Sequence, residues 1–245
     1  CCMSNTIPPV DRPSRVEKLL QRIRKTAVCK VYPIGAATME HGQDELTDFA
    51  ALHAAGCVAI TDDAFPLHSR QLKAQALARA AQTDCLFIAH AEDKALSDEG
   101  AIHEGDISAL LGLRGIPAAA VQEATAEWLE LYDLSARLHL AHVSTRQEVD
   151  LIEQCCARWG GRLSMETAPH YLQLTHDAVL SFGANAKVNP PLRSDEDAAA
   201  VVDAVRRDLI GIIATDHAPH SSAEKAAGID AAPFGLIGLE TALAA

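Results

Sequence analysis

Short apolar runs rich in β-branched residues alternate along this chain with longer stretches of helical period. The runs that read as strands are 1–3 (CCM), 28–32 (VCKVY), 57–61 (CVAIT), 85–89 (CLFIA), 138–143 (LHLAHV), 162–166 (RLSME) and 209–214 (LIGIIA). Helical periods fall at 13–25, 44–55, 69–82, 117–137, 145–158 and 195–207. Asp11 and Ser69 are N-cap candidates, and Thr145 with Glu148 has the spacing of a capping box. Strands joined by crossover helices imply a parallel sheet. No repeat or low-complexity linker interrupts the pattern, so one domain over residues 1–245 is expected.

The polar groups decide between two parallel architectures. They follow the strand runs: Asn5, Asp62 and Asp63, His90 with Glu92 and Asp93, His142 with Ser144, and Asp216 with His220. Reactive groups at the C-terminal ends of many strands are the mark of a (β/α)8 barrel of the TIM type. A dinucleotide-binding sheet wants a Gly-rich turn after its first strand, and CCMSNT has none. Seven strand runs are one short of a barrel. The expected domain is therefore a partial barrel, strands two to eight, with the first strand missing.

Composition narrows the partners. With 21 Lys and Arg against 33 Asp and Glu the formal charge is -12, which speaks against nucleic acid. An anionic small molecule stays possible, because local groups decide that. No apolar stretch reaches the length of a membrane span. The opening CCMSNTIPPV shows no basic region followed by an apolar run, so no signal peptide is expected. The seven cysteines include no CxxC pair. They read as reduced residues of a cytoplasmic protein, and a cysteine-ligated metal is not expected.

Imidazoles and carboxylates at the ends of buried strands are the donor types zinc favours. Each alone has a plainer reading: a hydrogen-bonded loop His, or an Asp capping the next helix. Four together, at Asp62-Asp63, His90, His142 and Asp216, point to a metal site. Within LHLAHV, His139 and His142 lie on opposite faces, and His142 is nearer the strand's C-terminal end. His41, His53, His68 and His176 read as solvent-exposed, and His103 and His170 as structural residues near the mouth. A serine hydrolase elbow, GxSxG, is absent.

At this point the motifs KVYPIGAAT, AITDDAF, IAHAED, LGLRGIPA, LAHVST, KVNPPLRS, IATDHAPHS and APFGLIGLETAL come together. In content and order the chain resembles dihydroorotases of the bacterial class I type, within the amidohydrolase superfamily, over essentially its whole length. The resemblance implies that Asp63, His90, His142 and Asp216 are metal ligands, with one or two zinc ions per subunit. It implies that Asn5, Asn189, His220, Phe234 and Gly235 contact the substrate, and that residues 221–233 form a mobile loop over the site. Ser4, Ala64 and Ala91 stand where the family has Pro, Gly and Cys. The family's His-x-His strand and its substrate-gripping arginine do not occur here.

The activity implied is reversible interconversion of L-dihydroorotate and N-carbamoyl-L-aspartate in pyrimidine biosynthesis, with Asp216 as the catalytic acid–base. Two other readings are another cyclic amidohydrolase, of hydantoinase or allantoinase type, and a non-catalytic subunit scaffolding aspartate transcarbamoylase. Lys30 lies in a strand run, and hydantoinases use a carbamylated lysine, but the Asp pair at the next strand favours the aspartate-bridged type. A homodimer and a partnership with aspartate transcarbamoylase are the associations implied. These residues alone are expected to be poorly soluble, weak in zinc and inactive.

Overall fold

The computed structural model describes residues 1–159 and 162–244; the expected domain range also includes residues that lie outside these. The chain forms two compact units. The first holds Cys1–Ala91, Glu127–Leu140 and Trp159–Leu163; the second holds Glu92–Ala126, Ala141–Arg158 and Ser164–Ala245.

In the first unit β1 (Ile34–Ala36), β2 (Ala59–Thr61), β3 (Leu86–Ala89) and β6 (Arg137–Leu140) are parallel neighbours, in register at Ile34–Ala59, Ala59–Leu86 and Leu86–Arg137. The helices α1 (Pro13–Thr26), α2 (Phe49–Ala55) and α3 (Arg70–Thr83) connect them. Ser69 caps α3 as expected, its side chain accepting from the Leu72 N–H. Asp11 does not cap α1. Arg12 stands at that position, and the Asp11 carboxylate instead accepts from Arg12, Arg15 and the Glu40 N–H. Two guanidinium groups outcompete a helix terminus for one carboxylate. The core closes with Phe49, Phe87 and Trp128, whose rings stand 6.2 and 5.2 Å apart in succession.

The strand expected at 28–32 is displaced to residues 34–36. Val28 is fully exposed, whereas Ile34, Gly35 and Ala36 are buried. Small residues win here because the strand lies tight against its neighbours. A Cβ on Gly35 would meet Ile60 and Leu52 at 2.9 Å. The run at 1–3 contributes a single parallel bridge, Cys2 to Pro33.

In the second unit Val143, just past β6, donates its N–H to Glu166 in β7 (Leu163–Thr167), and β7 pairs in parallel with β8 (Ile212–Ile213). The helices α7 (Arg146–Trp159) and α10 (Asp195–Arg206) fall where their periods predict. The periodicity assigns nothing between residues 90 and 116. There the chain forms α4 (Lys94–Ser97), α5 (Asp106–Leu111), and a two-stranded parallel pair of β4 (Ile102–His103) and β5 (Gly115–Ile116). Strands of two residues are too short to show a period. The helix expected at 117–137 is shorter, α6 at Ala119–Leu131. Further short helices α8 (Pro169–Gln173), α9 (Ala178–Phe182) and α11 (Ser222–Lys225) complete the unit.

No described helix is long and apolar enough to cross a membrane. Cys57 and Cys85 are buried and free, Cys1 and Cys29 are exposed, and the side chain of Cys156 lies outside those described.

Candidate functional site

In the first unit the strand ends β2 and β3 bring Asp62, Asp63 and His90 together. Asp62 is buried and spent on the backbone: it accepts from the His90 N–H at 2.8 Å and the Leu67 N–H at 3.0 Å. Burial pushes its carboxyl up to about 6 against the pull of these two bonds. Asp62 therefore staples the two strand ends. Asp63 turns the other way, its Oδ1 3.1 Å from Nδ1 of the buried His90. Two donor atoms on one tetrahedral zinc stand roughly 3.3 Å apart, given bonds of about 2.0–2.1 Å. The pair has the spacing of two metal ligands, and of the two aspartates Asp63 meets the His90 ring while Asp62 meets its backbone. Asn5 is exposed in the segment before α1.

In the second unit His142 follows the end of β6, buried, with a left-handed φ of 38°. The residues after it are held by one carboxylate. Glu148 accepts from the N–H and the hydroxyl of both Ser144 and Thr145 at 2.9–3.3 Å, which bears out the capping box. Its other oxygen accepts from Thr125 at 3.2 Å. Behind Glu148 lies Arg193, also buried, reaching Ser144 Oγ at 3.5 Å and His103 Nδ1 at 3.1 Å. Burial raises the Glu148 carboxyl above its ordinary value, and the Arg193 charge opposes that rise.

Asp216 follows β8, half-buried, with a φ of 45°. Its Oδ2 stands 3.9 Å from Nε2 of the buried His170. Burial, with a smaller contribution from His142, pushes His170 down to about 3, so it stays neutral. His220 donates from Nε2 to the Phe234 carbonyl at 2.9 Å, and the Gly235 N–H bonds the Lys187 carbonyl. Gly235 needs to be glycine: its φ is 144°, and a Cβ would lie 2.4 Å from the Ala218 oxygen.

The segment expected to be a mobile loop carries anchors the sequence does not reveal. Ser221 and Glu224 form a capping box. Lys187 donates to the carbonyls of Ile229 and Asp230, and its ammonium lies 4.5 Å from the Phe234 ring centre. Lys225 donates to the carbonyls of Ala184 and Pro233. Asn189 donates from Nδ2 to Glu92 at 2.8 Å.

A protein-family model described as dihydro-orotase-like matches residues 1–148, more than half of the chain. The chain belongs to that family.

Relatives agree over nearly its whole length. A dihydroorotase of Bacillus caldolyticus is 43% identical over 241 residues, and one of Pelotomaculum thermopropionicum is 44% identical over 243. These matches cover 98% and 99% of this chain but 56% of each relative, so the chain spans about half the length of the curated relatives it matches. Among solved structures, an L-hydantoinase from Arthrobacter aurescens has the same fold with a TM-score of 0.83 at 24% identity, covering 98% of this chain and 55% of its own. A dihydroorotase from Saccharomyces cerevisiae, in complex with 5-fluoroorotic acid, gives 0.73 at 16%, covering 98% and 67%. The expected barrel-type α/β fold is thus the fold of this dihydro-orotase-like chain.

Within the first unit, Asp63 and His90 form a pair of side chains suited to hold a metal ion. The sequence reading misses Glu92 and Arg193 as partners of site residues. It takes His41 and His176 as solvent-exposed, whereas both are half-buried, His41 stacked on Phe65 at 4.3 Å and His176 tilted against His103. Ring stacking across distant residues leaves no periodic trace.

One consequence of this neighbourhood is measurable in the dihydro-orotase-like chain. Burial pushes His103 down to about 4, with Arg193 and His176 adding to the shift and Asp197 opposing it. The unfolded chain then binds the extra proton between pH 6.5 and about 4, so this stability is present above pH 6.5 and lost as pH falls toward 4. In urea unfolding at pH 7 and pH 5, His103→Gln should show a smaller drop in midpoint than the unmodified protein. Equal drops would remove His103 as the cause.

Proposed function

We propose that this dihydro-orotase-like protein interconverts L-dihydroorotate and N-carbamoyl-L-aspartate in pyrimidine biosynthesis, with zinc held by Asp63, His90, His142 and Asp216. What carries the reading is the 41–44% identity to dihydroorotases together with a strand-end Asp63–His90 pair at the spacing of two metal ligands. Zinc in such a site supplies Lewis acidity and makes water ionisable near pH 7.

The chain's own residues supply the rest. Asp216 takes the proton from the water that attacks the ring carbonyl, then delivers it to the ring nitrogen as the carbon–nitrogen bond breaks. His170 is held neutral beside it, so it does not add a positive charge that would weaken Asp216 as a base. Asn5, Asn189 and His220 orient the carboxylate and the ureide, and Phe234 and Gly235 complete the wall. A cytoplasmic place of action, a homodimer and association with aspartate transcarbamoylase belong to this proposal through the family.

The purified full-length protein should release zinc on chelation, and X-ray absorption should show only nitrogen and oxygen donors. Hydrolysis of L-dihydroorotate should exceed that of hydantoin and of allantoin by at least tenfold. Sulfur in the zinc shell, or hydantoin as the better substrate, would overturn the reading.

A further inference from the structure

We propose that Glu92 is a positioning residue that fixes the side-chain amide of Asn189 so that its carbonyl oxygen meets an N–H group of the substrate. The inference rests on the proposed function and adds to it how the substrate's ureide is read. Glu92 lies two residues past His90, at the end of β3, with its side chain almost completely buried. Its Oε2 accepts from Asn189 Nδ2 at 2.8 Å and from the Lys94 ammonium at 2.7 Å.

An asparagine amide looks nearly symmetrical, and only its partners determine which end is which. Here the partner decides. The Lys94 ammonium can only donate, so the Glu92 oxygen that it meets is an acceptor, and Asn189 Nδ2 donates to that same oxygen. The NH2 of Asn189 must therefore face Glu92, which turns Oδ1 to the opposite side. The backbone there is pinned independently: the buried Tyr171 donates its hydroxyl to the Pro190 carbonyl at 2.6 Å. Asn189 itself is half-buried, so its outward oxygen is accessible.

An acceptor presented there selects a ligand with a donor. Both L-dihydroorotate and N-carbamoyl-L-aspartate carry ureide N–H groups, and an ester or ketone isostere does not. A site whose polar group goes unpaired rejects such an analogue strongly. The Glu92–Asn189 pair thus converts one buried acceptor into a preference for N–H on the substrate.

The amide can be observed without turnover. The chain has three asparagines, Asn5, Asn185 and Asn189, so selective 15N-asparagine labelling gives three side-chain amide pairs, and the pair lost in Asn189→Asp is that of Asn189. In the zinc-loaded protein without substrate, Asn189 should show slowed amide-proton exchange, and Glu92→Ala should speed it at least tenfold. Glu92→Gln, which keeps an acceptor oxygen, should restore part of the protection. With L-dihydroorotate, Glu92→Ala should raise KM about tenfold, change kcat less than threefold and leave zinc content unchanged. A protected amide in a protein that does not hydrolyse L-dihydroorotate would overturn the proposed function and leave the positioning intact. Unprotected Asn189 in the unmodified protein, or a Glu92→Ala variant with unchanged KM, would overturn the role of Glu92. Should Glu92→Ala fail to fold, Glu92→Gln with Lys94→Met carries the same comparison.

Discussion

Replacing Asp216 with Asn should lower turnover of L-dihydroorotate by roughly 10²–10⁴, the range that loss of a general acid–base group produces. The substitution keeps the shape of the side chain and removes its basicity. Asp216 follows β8 in a left-handed conformation, a geometry that Asn tolerates as well as Asp, so the backbone has no reason to rearrange. Zinc content should fall less than turnover, because Asp63, His90 and His142 remain as donors. The KM should stay close to its original value, since Asn189 and His220 are unchanged. His170, 3.9 Å from Asp216, loses a carboxylate neighbour. It should remain neutral, because burial is the main cause of its lowered value. Retention of more than a tenth of the original turnover would assign the proton transfer to another group.

Much of the site follows from local pattern. An apolar run marks a strand, and the His and Asp residues at or just past the ends of such runs, Asp62-Asp63, His90, His142 and Asp216, stand out as candidate donors. The choice between Asp62 and Asp63 is not local. It depends on Asp62 meeting the His90 backbone from 28 positions away. The strand at 28–32 misleads because VCKVY alternates like a half-buried strand, while the real one is built of small residues that only a tight packing distance explains. Asp11 misleads in a similar way. It has the type and position of a cap, and is claimed by arginines at 12 and 15 and by Glu40. Glu92 and Arg193 are invisible to periodicity because their partners lie 97 and 49 residues away. The local half of the Glu148 network is readable as a capping box, and its distant half is not.

That distant half is where the largest stability effect is expected. Glu148→Ala should cost about 3–5 kcal/mol, the usual loss when a buried charge is left without its counter-charge. Glu148 and Arg193 are both almost inaccessible, and each is the other's principal opposite charge. Truncation leaves a buried guanidinium, whose Nη2 has no hydrogen-bond partner among the described residues. It also strands the N–H groups of the buried Ser144 and Thr145. These residues directly follow His142, so local disorder there should reach the metal, and zinc affinity should fall with stability. Glu148→Gln should be milder, because an amide oxygen still accepts from the Ser144–Thr145 turn. Adding Arg193→Met to Glu148→Ala should recover part of the loss, because the uncompensated charge then disappears; two independent sites would instead add their costs. Urea unfolding of the three variants beside the unmodified protein tests all of this. A loss below about 1 kcal/mol in Glu148→Ala, or a double variant less stable than that single one, would show that the pair does not hold the His142 loop.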